Sequence, residues 1–238
     1  MTTDRDSNEL KSAAGEIREE YARRTNEGTR GTTGSAMMES RMRSYSEALS
    51  AADFIPLKQK RILDLGCANG GWLTKCCNRW GAEEHLCAGV DLREDVIRQW
   101  QIENPDSKMQ IRCQSAHEIE FEDESFDLVH HSMMMSSVPD PDLSKAIANQ
   151  MWRVLAPGGC IVSYDFWINP LNKKTVGVGV KQLNHWFPQA RIVFRKKITF
   201  LPPLTRLLNK ISQQIPVALE RARIMNTHLL VVLRKDSA

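Results

Sequence analysis

The chain has 238 residues, of which 42% are hydrophobic and 26% charged, and its 32 Lys and Arg nearly balance 29 Asp and Glu to leave a formal charge of +3. That composition belongs to a folded globular protein and excludes collagen-like and disordered classes. Nucleic-acid binders usually carry a far larger excess, because each phosphate contact draws on a Lys or Arg, but this balance neither demands nor excludes a polyanionic partner.

Residues 1–57 read as a helical cap without a strand. Glu9 to Arg24 carries i,i+4 charge pairs such as Glu19–Arg23 and Glu20–Arg24. A glycine-containing loop over 25–35 separates it from a second helix over 36–52, which Pro56 bounds. The start is polar, with no apolar run of a secretory signal, and no stretch of ~18 apolar residues suggests a membrane span. Cys67, Cys76, Cys77, Cys87, Cys113 and Cys160 form no C-x-x-C pair, so reduced thiols in a cytoplasmic protein are expected and no metal site.

From residue 58 onward the pattern changes to a β-α rhythm. RILDLG, HLCAGVDL, MQIRCQSA, SFDLVHHSMM and CIVSYDF read as five strands, alternating with helical segments such as GGWLTKCCNRWG and REDVIRQWQIEN. DLSKAIANQMWRVLAPGG reads as a helix closed by its Pro-Gly-Gly. ARIVFRKKITF and THLLVVLRK bring the total to about seven strands, and residues 201–225 between them, with an apolar helical LTRLLNKI, read as an insertion that covers a pocket. The expected architecture is α/β, a Rossmann-like doubly wound sheet over 58–238 behind the 1–57 cap.

The chemistry concentrates in a glycine-rich turn, Asp64-Leu-Gly66-Cys67-Ala68-Asn-Gly70-Gly71. Gly66 and Gly70 have no Cβ to keep a ligand from the backbone. Asp91 closes the second strand 25 positions after Gly66, where a carboxylate accepts hydrogen bonds from both hydroxyls of a ribose. A nucleoside cofactor follows from the two features together. A plain β-α turn followed by a surface Asp would carry the same residues, and Gly66-x-Ala68-x-x-Gly71 also approximates the fingerprint of Rossmann dehydrogenases.

Three further segments stand in order and register behind this turn: Gly89-Val-Asp91, Phe126-Asp127-Leu-Val129 and Arg153-Val-Leu-x-Pro157-Gly158-Gly159. With Asp64-x-Gly66-x-x-x-Gly70 they resemble the successive motifs of class I S-adenosylmethionine (SAM) dependent methyltransferases, over residues 60–166. The resemblance implies SAM as cofactor. Asp64, Gly66, Cys67, Ala68 and Gly70 would shape the pocket for its methionine end, and Asp91 and Leu92 would hold ribose and adenine. Ser115 stands where the family often has an adenine-binding Asp, with Ala116 beside it, and His131 and Ser132 would face the methyl group. N-terminal helices often cap this site in the family, which draws attention to Tyr21 with Arg24, and to Arg41 and Arg43.

A proton-bearing acceptor gains roughly 10²–10⁴-fold from a general base. Asp165 and His131 are the candidates at strand ends, with His130 and His228 behind them; each also has a packed or structural reading. The Asn/Asp-Pro-Pro-Tyr/Phe motif of nucleobase amino methyltransferases is replaced by His130-His131-Ser132-Met133. Met135-Ser-Ser137-Val-Pro139-Asp140 resembles a segment of quinone-type methyltransferases. The reading is a methyltransferase for a small-molecule hydroxyl on a glycan precursor, quinone or natural product. An RNA or protein methyltransferase would instead use the basic C-terminal region, where ten Lys and Arg after Gln189 face only Glu220 and Asp236. That region also reads as a solvated face, or as a contact for a phosphate-bearing ligand. A SAM-binding protein without turnover is the remaining alternative.

Overall fold

The computed structural model describes residues 7–26, 34–169, 172 and 175–237. Its seven strands are β1 (Ile62–Leu65), β2 (Cys87–Asp91), β3 (Gln110–Cys113), β4 (Phe126–Ser132), β5 (Leu155–Phe166), β6 (Arg191–Phe200) and β7 (Asn226–Arg234). They form one sheet in the order β3-β2-β1-β4-β5-β7-β6. The first five are parallel, and β7 runs antiparallel between β5 and β6. Strand order reverses between β1 and β4, so a crevice opens at their carboxyl ends, where open α/β sheets bind ligands.

Both faces of the sheet are buried, because successive strand residues point to opposite sides. Leu63, Val129, Ile161 and Val231 pack on one side with α5 (Pro141–Val154) and α6 (Val180–Trp186). Their neighbours Ile62, Leu128, Val162 and Val232 pack on the other. There α2 (Ser35–Ala51), α3 (Gly71–Trp80) and α4 (Glu94–Glu103) contribute Tyr45, Leu73 and Trp100. The continuous apolar runs of the central strands are thus accounted for by two-sided burial. Helix α1 (Ser7–Asn26) lays Leu10, Ala13, Ala14 and Ile17 against the first of these cores. None of the described helices is long and apolar enough to cross a membrane.

Local signals explain the element ends. The Asp140 side chain accepts from the backbone N–H groups of Asp142 and Leu143, and Pro141 opens α5. Gly70 and Gly81 flank α3 in the left-handed conformation. Two details differ from the sequence reading. Helix α5 ends at Val154, and Leu155 already pairs with Phe126, so Pro157-Gly158-Gly159 lies inside the start of β5 and does not stop the helix. A Cβ at Gly159 would come within 2.8 Å of the Asp127 carbonyl, which is why glycine serves at this irregular pairing. The 201–225 segment forms two helices, α7 (Pro202–Leu208) and α8 (Gln214–Arg221), the first beginning at its prolines. Most of the expected 25–35 loop lies outside the described residues.

Candidate active site

A cavity of about 240 Å³ lies at the switch point. Its floor is the β1–α3 turn, where the N–H groups of Gly66 and Cys67 both donate to the Val90 carbonyl and hold the turn against β2. Gly66 has φ +71°, and Ala68 adopts φ +48° despite its Cβ. Each Asp91 carboxylate oxygen accepts one backbone bond: Oδ2 from Ala68 N–H at 2.9 Å, Oδ1 from Arg93 N–H at 3.0 Å. The Arg93 Nε also stands 3.5 Å from Oδ1, and since a carboxylate oxygen has about two acceptor positions, Oδ2 keeps the freer one for a ligand hydroxyl.

The wall after β3 holds Gln114, Ser115 and Ala116. Ser115 Oγ lies 2.5 Å from His117 Nδ1 and so already has a partner. Gln114 donates through Nε2 to Glu120, while its buried Oε1 has no hydrogen-bond partner among the described residues. Buried acceptors of this kind are rare, and one on a residue that lines a cavity suits a ligand N–H. Ser132, Met133, Met134, Ser137 and Val138 follow β4, and Leu143 and Ile147 come from α5. Helix α1 closes the cavity with Ala14, Ile17, Arg18 and Tyr21, and the Tyr21 hydroxyl donates to Ser137 Oγ at 2.8 Å.

Of the residues expected at the site, Gly66, Ala68, Asp91, Leu92, Ser115 and Ala116 line the cavity, as do Ser132 and Tyr21. Asp64, Cys67, Gly70, His131 and Asp165 are not in its wall. Cys67 is buried, its side chain within 3 Å of where a Gly89 Cβ would stand. Gly70 initiates α3 beside Trp100. Asp64 turns to the other face, where its Oδ1 lies 2.7 Å from His130 Nδ1. Burial pushes its carboxyl above the usual range, against the pull of His130.

Asp165 and His131 sit together one layer beneath the cavity. Both are fully buried, with His131 Nδ1 3.6 Å from Asp165 Oδ2. The carboxylate accepts from the backbone N–H of Ser136 at 3.0 Å and of Phe166 at 2.8 Å. It therefore fastens the short 3₁₀ turn Met135–Ser137, which presents Ser137 to the cavity, to the end of β5. Burial raises Asp165 to about 6 and lowers His131 to about 3. Neither ring nitrogen of His131 has a hydrogen-bond partner among the described residues, and burial keeps this imidazole neutral at physiological pH. Neither side chain, expected to meet the acceptor, lines the cavity; both are buried, and Asp165 spends its oxygens on backbone N–H groups.

Arg41 packs its guanidinium over the Tyr164 ring, 5.4 Å from the centroid, and does not reach the cavity wall. Arg43 is exposed, and the Arg24 side chain lies outside the described residues. His228 is stacked on Tyr164 beneath the surface. Segments α7 and α8 pack beside α2 and β6, while α1 covers the cavity. Gln114 and Arg18 escaped the sequence reading: neither belongs to a motif, and only the fold brings them to the crevice.

Residues 62–159 match the family described as methyltransferase domain. The ubiquinone biosynthesis O-methyltransferase of Xylella fastidiosa is 33% identical over 108 residues, covering 44% of this chain and 41% of that protein. A demethylmenaquinone methyltransferase of Listeria welshimeri is 28% identical over 111 residues, 45% of each. The chain thus spans about half the length of the curated relatives it matches. A SAM-dependent methyltransferase from Mesorhizobium loti superposes with a TM-score of 0.57 over 79% of this chain and 96% of its own, at 21% identity, which is a likeness of fold. Domain match, strand order and crevice agree: residues 62–159 carry a methyltransferase domain, set in a seven-stranded Rossmann-like sheet of the kind seen in SAM-dependent methyltransferases.

Proposed function

We propose that the protein transfers the methyl group of SAM to a small, largely apolar acceptor bearing a hydroxyl, of the quinone, glycan-precursor or natural-product kind. The observation that carries this reading is the acceptor chemistry of the cavity wall: the Asp91 carboxylate, with Oδ2 the freer oxygen, and the orphaned Gln114 Oε1. The Asp91 oxygens suit two ribose hydroxyls, and Gln114 Oε1 suits the amino group of an adenine beside Leu92 and Ala116. Gly66 would leave room for the amino-acid end. When bound, SAM supplies an electrophilic methyl on a sulfonium.

The chain's contribution is alignment and exclusion of water. Ile17, Val138, Leu143 and Ile147 make the far wall apolar, and Met133 and Met134 adapt their shape to a guest. Tyr21, bonded to Ser137, ties α1 to the loop after β4 and so closes the cavity from solvent. Ser132 and Ser137 are the hydroxyls available to orient an acceptor. Asp165 holds the Ser136 backbone from below, with His131 packed beside it. The similarity to a ubiquinone biosynthesis O-methyltransferase and a demethylmenaquinone methyltransferase supports an apolar acceptor. The test is incubation with methyl-labelled SAM and fractionated small-molecule extract. Label on a small hydroxyl compound or quinone precursor is expected; label only on RNA or protein would overturn the reading.

A further inference from the structure

A second cleft, of about 300 Å³, opens beside the end of β5, at residues the methyl-transfer reading does not use. It is lined by Trp167, Arg195, Lys197, Arg223, Met225 and Asn226. Arg195 and Lys197 alternate along the edge strand β6 and so share a face, while Lys196, also at the cleft, reaches Glu47 on α2 at 2.6 Å. Arg195, Lys197 and Arg223 make no ion pair among the described residues, and no carboxylate lines the cleft. Like charges gathered around one concavity repel each other, and an anion between them relieves that repulsion.

Two features show that the cleft is built to receive more than a counterion. Trp167 is pinned by its Nε1–H, which donates to the Asn226 carbonyl at 2.8 Å, and the Lys197 ammonium rests 3.4 Å from its ring centroid. That contact holds a long side chain over the cleft and lowers its entropy loss on binding. Asn226, only 5% exposed, donates through Nδ2 to the carbonyls of Lys197 and Glu220. Those two bonds fix its amide, and Oδ1 is left buried with no donor among the described residues. An unmet buried acceptor on a residue that lines the same cleft as three cations without ion-pair partners suits a ligand that joins negative charge to a hydroxyl.

We propose that this cleft binds a polyol phosphate, with the phosphate among Arg195, Lys197 and Arg223 and a neighbouring hydroxyl donating to Asn226 Oδ1. The same chemistry occurs in free glycerol or sugar phosphates and in the headgroup of phosphatidylglycerol. The site is separate from the cofactor cavity and does not depend on which acceptor is methylated.

Calorimetric titration with sn-glycerol 3-phosphate tests it, alongside inorganic phosphate and flotation with vesicles of phosphatidylglycerol or phosphatidylcholine. The native chain is expected to bind glycerol phosphate at least tenfold more tightly than inorganic phosphate, and more weakly as salt rises. The exposed double variant Lys197→Gln/Arg223→Gln should lose at least tenfold in affinity while its affinity for SAM, which reports the intact fold, stays unchanged. Flotation with phosphatidylglycerol alone, lost in the variant, identifies the lipid as the source. Binding of the free ester without flotation identifies the soluble one. No binding of either, equal affinity for inorganic phosphate, unchanged affinity in the variant, or tighter binding of a single-stranded oligonucleotide through the same residues would overturn the proposal.

Discussion

Asp64 and His130 are register partners on β1 and β4, and their side chains meet at 2.7 Å on the face away from the cavity. His130 Nε2 lies 2.9 Å from the Tyr45 hydroxyl, and the Trp72 indole stacks on the imidazole with centroids 3.6 Å apart. With Nδ1–H donating to the carboxylate, Nε2 accepts from Tyr45. Three elements that frame the cofactor turn are thereby bolted to the sheet: the β1 end, α2 and the start of α3.

Removing Asp64 should therefore cost stability first. Asp64→Ala leaves a buried imidazole N–H without its acceptor, and a loss of about 3 kcal/mol is expected. Urea denaturation followed by tryptophan fluorescence measures it; a loss below about 0.5 kcal/mol would mean that the pair is not holding these elements.

Gly66→Ala tests the turn. An added Cβ would stand 3.2–3.4 Å from the Met134 side chain, at φ +71°, where a non-glycine residue costs about 1–2 kcal/mol. Both stability and SAM affinity should fall. Adding Met134→Ala should relieve the contact but not the backbone strain, so recovery should be partial. Full recovery in the double variant would locate the whole cost in the methionine.

The pH dependence of stability follows from burial. His131 and His228 are both held near 3 in the folded state, whereas the unfolded chain titrates near 6.5. Below pH 6.5 the unfolded chain takes up protons that the folded one refuses, so stability falls with falling pH at about 1.4 kcal/mol per unit for each histidine. Asp165, raised to about 6, works in the opposite direction between pH 6 and 4. The net acid limb should match about one histidine, and His131→Phe should flatten it. An unchanged slope in denaturation at pH 6 and pH 5 would show that His131 is not the group refusing the proton.

Gln114 is assigned to the adenine. Gln114→Leu should weaken SAM binding about tenfold, the worth of one hydrogen bond to a buried amide. The variant should lose nothing further toward an analogue whose adenine amino group is replaced by oxygen. An additional loss with the analogue would mean that the amino group is read elsewhere.

Much of the fold is legible in the chain because local and tertiary preferences agree there. The apolar runs at Ile62–Leu65, Cys87–Asp91 and Phe126–Ser132 are two-sided strands, and each of the seven strands appears near where the pattern puts it, β5 starting earlier, at Leu155. The Gly66 turn and Asp91 were equally readable, since a close backbone approach and a strand-end carboxylate leave direct marks. Asp165 and His131 were not. A polar residue at a strand end looks the same whether it opens on a ligand or, as here, turns under the neighbouring loop to take backbone N–H groups. Gln114 depends on the orientation of one amide, which no spacing encodes.

The central claim is that Asp91 and the Gly66 turn form a SAM site. Calorimetric titration of SAM into the native chain and into Asp91→Ala tests it most directly. Two hydrogen bonds to a charged acceptor contribute about 1.5–3 kcal/mol each. One-to-one binding to the native protein, weakened at least a hundredfold in the variant, is the predicted result. Equal affinities in the two proteins, or no binding to either, would contradict it.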